Sequence, residues 1–278
     1  MGLPIHKLIC ASNANNVLTD FLNTGIYDRN RPFYKTSSPS MDILISSNLE
    51  RLLYALTNAD DSKINKWMKQ LNDEGQYKVD AEVLTSIKEN FWADFADDGN
   101  TAETIKTVFE EKGYTLDPHT AVAWYVADKY KKTTKDELPL VIVSTASPYK
   151  FNENVLGALD SDIAATLTDE FAVLDKLAEI TKVKVPEGLA SLRTAKVIHT
   201  DKCQKEEMAK FITENEDTKQ LLSAMTRQNA FISRLADGGT YRFHHMMKEC
   251  AEQAFAAMDK EKQTVYYTGN KNQLVSSI

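Results

Sequence analysis

The feature that most constrains the fold is a short apolar run that stops abruptly in a cluster of turn-forming residues. Residues 7–11 (KLICA) are apolar after the lysine, and residues 12–16 (SNANN) contain only small or polar side chains. Aliphatic runs of this length that are bounded by Ser and Asn are typical of strands. The pattern therefore predicts a strand that leads directly into a polar loop.

A second apolar run has the same ending. Residues 138–143 (LPLVIV) are fully apolar and largely β-branched, and residues 144–147 (STAS) follow with small polar side chains. A strand without polar alternation is expected where both faces of a parallel sheet are covered. We therefore predict a buried strand here, and a third strand at residues 196–198 (KVI).

Amphipathic helices with readable start and stop residues separate these strands. Ser, Thr or Asp at a helix start can cap free backbone N–H groups, and Gly commonly follows the last turn. The predicted helices run from Ser62 to Gly75, from Asp80 onward, from Thr101 to Gly113, and from Asp117 and Pro118 onward. Alternation of strands and helices predicts an α/β fold with helices on the faces of a sheet and ligand sites at the carboxyl ends of the strands.

The end of the chain has a different pattern. Residues 221–235 and 243–258 each have helical periodicity, and Asp237, Gly238 and Gly239 separate them. Two helical segments joined by such a short turn predict a helical hairpin. We therefore divide the chain into residues 1–214 and a helical extension of unknown role at residues 215–278.

Composition and charge exclude several classes of protein. The chain has 278 residues, of which 42% are hydrophobic and 26% charged, as in an ordinary globular protein. The net charge of −7 argues against a nucleic-acid surface, and no apolar stretch approaches the roughly 20 residues of a membrane span. The first residues lack the order of a secretory signal, so we expect a cytoplasmic protein.

Cysteines and histidines indicate no metal site. Cys10, Cys203 and Cys250 are widely spaced, odd in number and outside any CxxC pair, so we predict neither a disulfide framework nor a zinc knuckle. His199 and Cys203 are four residues apart, but a structural metal site needs more ligands than two.

Two hydroxyl-rich segments can contact a ligand. Residues 36–43 (TSSPSMDI) place four hydroxyls next to a predicted helix start, where free backbone N–H groups favour an anion. The same hydroxyls can instead cap the helix. Ser144 and Thr145 pose the same alternative at the end of a predicted strand, because a hydroxyl there can bind a ligand or a loop amide. These residues alone leave both roles open.

Longer strings in the sequence resemble a known family. No GxGxxG, GxxxxGK[ST], HExxH or GxSxG motif is present. The strings GLPIHKLICASNANNVL, TSSPSMDILISSNLERLLYAL, LDPHTAVA and VSTASPYKF occur in this order. They resemble the second half of bacterial and fungal threonine synthases, over about residues 1–211. The strings VPEGLASL and CQKEEM resemble the end of the family sequence, whereas residues after about 214 resemble none of it.

This resemblance implies a fold-type II enzyme dependent on pyridoxal phosphate (PLP). Its fold would be a three-layer α/β sheet with helices on both faces. It would convert O-phosphohomoserine and water to threonine and phosphate. By position in STASPYKF, Thr145 is implied as the hydroxyl that meets the pyridine nitrogen of PLP. Where the family often has His-Pro-Ala, this chain has Ser147, Pro148 and Tyr149.

The resemblance also implies a substrate-binding set. It raises substrate binding above capping for the segment that contains Ser37, Ser40 and Asp42, and Asn13 of the first polar loop completes the expected set. The bound group would be the phosphate of the amino-acid substrate.

The catalytic lysine of the family has no counterpart in this sequence. The Ser-Phe-Lys-Asp motif of threonine synthases lies upstream of the position that aligns with Met1, so the chain is expected to begin partway through the family sequence. Neither Lys35 nor Lys150 lies in such a motif. We therefore expect inactivity alone and a separate N-terminal half as partner. The alternative is a non-catalytic remnant that serves as a binding or interaction module.

Overall fold

The structure is a computed structural model that describes residues 5–197 and 202–214. The chain divides into two units, residues 1–195 and 196–278. The predicted boundary at residue 214 stays a prediction, and the predicted helical hairpin lies outside the described residues.

Short strands and longer helices alternate along the first unit. The strands are β1 (Leu8–Ser12), β2 (Ile26–Asp28), β3 (Gln76–Lys78) and β4 (Phe91–Phe95). The longer helices are α1 (Val17–Thr24), α2 (Leu49–Leu56), α3 (Asp61–Glu74), α4 (Ala81–Asn90), α5 (Asp98–Lys112), α6 (Pro118–Thr134), α7 (Asn152–Leu159), α8 (Ser161–Ala164), α9 (Glu170–Thr181), α10 (Glu187–Ala190) and, in the second unit, α11 (Met208–Glu214). Single 3₁₀ turns occupy Pro39–Met41, Pro148–Phe151, Ser191–Arg193 and Lys205–Glu207.

The pairing of β1 with β4 positions the polar loops of the site. The two strands are parallel, with Leu8 opposite Phe91 and Ser12 opposite Phe95. Their carboxyl ends therefore meet at one edge, where the backbone N–H of Ala96 donates to the carbonyl of Ser12 at 3.0 Å. This pairing confirms the first predicted strand and the α/β fold. A second pair, β2 with β3, is antiparallel.

Two hydrophobic clusters support this edge. The first forms around Phe21, Tyr27 and Tyr77, where the two tyrosine rings stack with centroids 5.3 Å apart. The second contains Ile105, Leu116 and Leu177, from α5, α9 and the connection that leads into α6. Each of these side chains is almost fully buried. Burial on this scale stabilises the elements that carry the site by about 1.5 to 3 kcal/mol per large side chain.

The predicted C-terminal ends of the helices are confirmed where Gly follows the last turn. The N-terminal ends lie a few residues before the Ser or Thr that was expected to start the helix. Gly75 and Gly113 have φ of +77° and +64°, the left-handed conformation that Gly adopts without strain. The N-cap of α3 is Asp60 instead of Ser62, and that of α5 is Asp97 instead of Thr101. In both helices an aspartate carboxylate accepts a free backbone N–H of the first turn, that of Lys63 in α3 and that of Asn100 in α5.

The predicted strand at residues 138–143 is wrong. These residues belong to neither sheet, and Val141 and Val143 are 88% and 71% exposed. A strand exists only where a neighbouring strand accepts and donates its backbone hydrogen bonds. No such neighbour is present in the described residues. The predicted strand at residues 196–198 is not formed at residues 196 and 197, and residue 198 lies outside the described part.

Candidate active site

The first polar loop and the hydroxyl-rich segment meet around one carboxylate. Asp42 Oδ1 accepts from the side-chain amides of Asn13 at 2.8 Å and Asn15 at 3.0 Å. The Thr36 hydroxyl donates to the same oxygen at 2.7 Å, and the Thr36 backbone N–H donates to Oδ2 at 3.1 Å. Asp42 therefore holds residues 36–42 against the end of β1.

Asn13 lies inside this network. It is only 2% exposed, and its side-chain amide also lies 2.8 Å from the Thr36 hydroxyl and 3.1 Å from the Ser38 hydroxyl. Its carbonyl oxygen accepts the backbone N–H of Asn15 at 2.9 Å. Asn13 is therefore a buried residue that supports the loop from below through hydrogen bonds and is shielded from solvent.

Ser37 and Ser40 have different surroundings. Both the hydroxyl and the backbone N–H of Ser37 donate to Asp98 Oδ1, at 2.7 and 3.0 Å. Ser40 is exposed, and its hydroxyl has no partner within residues 5–197 and 202–214. Neither side chain caps the turn at Pro39–Met41, whose N-cap is Ser38. Of the two hydroxyls, that of Ser40 is the one available to a ligand.

Sequence reasoning missed a buried Asp–His pair beside this loop. The Ser40 backbone N–H donates to His119 Nε2 at 3.2 Å, and His119 Nδ1 lies 3.0 Å from Asp117 Oδ1. The Asp117 side chain is fully buried. The string LDPHT predicted only the helix cap, which is confirmed because Asp117 also accepts the backbone N–H groups of His119 and Thr120. A histidine two residues after a capping aspartate was the available signal.

The segment predicted to face the cofactor lies at the other side of this pair. The Ser144 hydroxyl is 3.2 Å from the hydroxyl of Thr120, in the first turn of α6. Thr145 follows it and is exposed, and its hydroxyl has no partner in the described part of the chain. Ser40 and Ser144 thus lie at the two ends of a hydrogen-bond network that runs through Asp117. Thr145 is exposed to solvent.

Other chemically active groups of the described residues do not form a second site. Burial raises the pKa of the Cys10 thiol, which disfavours the reactive thiolate. No group of three or more His, Cys, Asp or Glu side chains there is arranged to hold a metal ion, and His199 is not among the described residues. Lys35 and Lys150 are exposed. Within the described range, no helix is long and apolar enough to cross a membrane.

Comparisons with known proteins identify two different regions. Residues 120–195 match the family model "Threonine synthase, C-terminal", and residues 204–263 match "MalT winged helix domain". The human protein "Threonine synthase-like 1" is 42% identical over 160 residues, which cover 57% of this chain and 21% of that protein. The chain therefore spans about a fifth of the length of this relative.

Two solved structures of threonine synthases are also similar to this chain. The crystal structure of threonine synthase from yeast has a TM-score of 0.61 and 36% identity, and the match covers 70% of this chain and 39% of that one. A PLP-bound threonine synthase from Brucella melitensis has a TM-score of 0.53 and 32% identity, with 66% and 42% covered.

Fold and comparisons together define the class as an α/β protein built like part of the PLP-dependent threonine synthases. Within that class, residues 120–195 are similar to the C-terminal domain of threonine synthases, and the predicted resemblance is confirmed.

Proposed function

We propose that this chain supplies the C-terminal part of a PLP-dependent threonine synthase-like enzyme, which a separate N-terminal half completes. The completed enzyme converts O-phosphohomoserine and water to threonine and phosphate. The observation that carries the proposal is the apolar segment at residues 138–143, which pairs with no strand of the described residues, exposes Leu138, Val141 and Val143, and is followed by Ser144 and Thr145. Exposed contiguous apolar residues of this kind are typical of surfaces that another polypeptide covers.

The hydroxyl of Thr145 fits the cofactor. It is exposed and has no partner in residues 5–197 and 202–214, so it is free to hydrogen-bond a pyridine nitrogen. PLP, when bound, supplies an electron sink for negative charge that develops on the amino-acid substrate. The role of Thr145 is to orient the ring and to satisfy its nitrogen. The covalent bond to a lysine comes from the separate half.

The Ser40 hydroxyl is proposed to bind the substrate phosphate. Asp42 and Asn13 act beneath it by holding the loop, and Ser37 anchors the loop to Asp98 at the start of α5. A loop whose own donors are already bonded loses little conformational freedom when a ligand arrives, so the ligand pays a smaller ordering cost.

Reconstitution tests the proposal. The chain is mixed with the N-terminal part of the yeast threonine synthase, and phosphate release from O-phosphohomoserine is measured. We expect release from the mixture and none from either part alone. Replacing the cofactor-binding lysine of the N-terminal part with Ala is the control and should abolish release. A mixture that assembles but releases no phosphate with the intact lysine contradicts the proposal.

A second candidate function is that of a non-catalytic binding module. The match of residues 204–263 to a winged helix model favours it, because this region is distinct from the threonine synthase domain. The DNA upstream of Met1 distinguishes the two candidates. An adjacent reading frame that encodes Ser-Phe-Lys-Asp supports the split enzyme, and a genome without such a frame supports the binding module.

A further inference from the structure

His119 lies where three segments of the first unit meet. Its Nε2 is bonded to the loop at Ser40, and its Nδ1 is bonded to the cap of α6 at Asp117. The ring also packs against Phe151, with ring centroids 4.7 Å apart. The side chain is only 11% exposed. A histidine in these surroundings has little freedom to change rotamer.

The contacts fix which ring nitrogen carries the proton. A backbone N–H can only donate, so Nε2, which faces the N–H of Ser40, must be the acceptor. In the neutral ring the proton then lies on Nδ1 and is donated to Asp117 Oδ1. The same carboxylate accepts the backbone N–H of His119 at 3.0 Å and the Thr120 hydroxyl. Asp117 therefore holds the ring in one tautomer and one orientation.

The network continues to the segment that carries Thr145. The Thr120 hydroxyl, already bonded to Asp117, lies 3.2 Å from the hydroxyl of Ser144. The path from the Ser40 amide to Ser144 thus consists of His119, Asp117 and Thr120. It connects the proposed phosphate-binding loop with the proposed cofactor segment.

We infer that His119 is a positioning residue that fixes the loop of Ser40 relative to Thr145. Its function is to accept the Ser40 amide through Nε2 while Asp117 holds Nδ1, so that the free Ser40 hydroxyl keeps one direction. The ligand part of this inference rests on the proposed function, whereas the tautomer and the hold on the loop do not. A ring that merely filled space would need neither a defined tautomer nor an acceptor at Nε2.

Two substitutions separate the two nitrogens. In His119→Gln the side-chain carbonyl can reach the position of Nε2 and accept the Ser40 amide. In His119→Asn the shorter side chain reaches only the position of Nδ1 and Asp117. Packing against Phe151 is reduced in both variants. The comparison therefore sets the bond to Ser40, which only the Gln variant can keep, against the bond to Asp117, which only the Asn variant can keep.

The first test uses the full chain. NMR of the wild-type ring nitrogens should show a protonated Nδ1 and an unprotonated Nε2. Hydrogen exchange of the Ser40 amide should be roughly 2- to 10-fold faster in His119→Asn than in His119→Gln, as expected for the loss of one neutral hydrogen bond. A protonated Nε2 in the neutral ring, or equal exchange in the two variants, overturns the inference.

The second test uses the reconstituted enzyme and inorganic phosphate as the probe. Phosphate should bind His119→Asn more weakly than His119→Gln, again by roughly 2- to 10-fold. If the two variants bind phosphate equally well although their Ser40 amides exchange at different rates, the positioning role of His119 is overturned. If the wild-type enzyme binds no phosphate, the proposed function fails, and the tautomer and exchange measurements still decide whether His119 holds the loop.

Discussion

Ser37 and Ser40 lie three residues apart, yet only one of their hydroxyls is free. Ser37 Oγ is bonded to Asp98, whereas Ser40 Oγ has no partner among the described residues. Sequence reasoning treated the two serines alike, because it could not locate Asp98, which is 61 residues further along the chain. Their roles should therefore differ in measurable ways.

We expect the Ser37 substitution to affect mainly stability and the Ser40 substitution to affect mainly phosphate binding. Ser37→Ala should lower the free energy of unfolding by about 0.5 to 1.5 kcal/mol, because one hydrogen bond between loop and α5 is lost. Ser40→Ala should leave stability nearly unchanged and weaken phosphate binding by the reconstituted enzyme. Urea unfolding and phosphate titration of both variants provide the test, with each serine the control for the other. Lower stability in Ser40→Ala with unaltered phosphate affinity would make Ser40 structural.

Thr145→Val should impair catalysis and spare folding. The exposed hydroxyl has no hydrogen-bond partner in the described residues, so its loss should change the free energy of unfolding by less than about 0.5 kcal/mol. Leaving the ring nitrogen without its partner should cost about 1 to 3 kcal/mol in kcat/KM, or roughly 5- to 150-fold. Kinetics of the reconstituted enzyme are the measurement, and Thr107→Val on the exposed side of α5 is the matched control. Unchanged turnover in Thr145→Val would remove it from the site.

At the scale of elements, the sequence predicts best what local chemistry decides. The left-handed ends at Gly75 and Gly113 and the cap at Asp117 are confirmed because each depends on neighbours within a few residues. The strand at residues 7–11 is confirmed as well, because its distant partner β4 lies within this chain and pairs with it. The strand at residues 138–143 is wrong because pairing depends on a distant or separate partner. His119 escaped notice for the same reason, since Ser40 is 79 residues away.

The unpaired segment gives a prediction about assembly. Val141→Lys should leave the melting temperature of the isolated chain nearly unchanged, because the valine is 88% exposed. It should weaken association with the N-terminal half, since a charge would have to be buried in the new contact. Calorimetric titration of the two halves measures this effect. Val183→Lys, at a residue that is 53% exposed and outside the segment, is the control and should bind like the wild type. Equal affinity for both variants would contradict a role for residues 138–143.

The connection after α6 contains a pH-dependent contact. The Tyr130 hydroxyl donates to Asp136 Oδ2 at 2.6 Å, and this bond, with a smaller contribution from the Leu138 backbone N–H, lowers the pKa of Asp136. A carboxyl whose pKa is lowered by folding stabilises the fold above its unfolded pKa. The contribution disappears as the pH falls through the folded value.

Tyr130→Phe should therefore be less stable than the wild type near neutral pH and equally stable in strong acid. The substitution keeps the aromatic ring, which packs edge-on against Trp92 with centroids 5.3 Å apart. Urea unfolding at both pH values measures the difference. Tyr114→Phe, at an exposed tyrosine, is the control. A difference that persists unchanged far below the ordinary aspartate pKa of 3.8 would contradict the assignment to Asp136.

At the scale of the whole molecule, the chain joins parts with different relatives. Residues 120–195 match the threonine synthase family model, and residues 204–263 match a winged helix model. The chain spans 39% of the yeast threonine synthase structure, so most of that enzyme has no counterpart here. The lysine that holds the cofactor is therefore expected on the separate N-terminal half.

Borohydride reduction in the presence of PLP tests this claim most directly. The isolated chain and its mixture with the yeast N-terminal part are each reduced, digested and analysed by mass spectrometry for cofactor bound to lysine. We predict no stoichiometric label on the isolated chain, and in the mixture a label on one lysine of the N-terminal part. A stoichiometric label on one lysine of this chain, such as Lys35 or Lys150, would contradict the account.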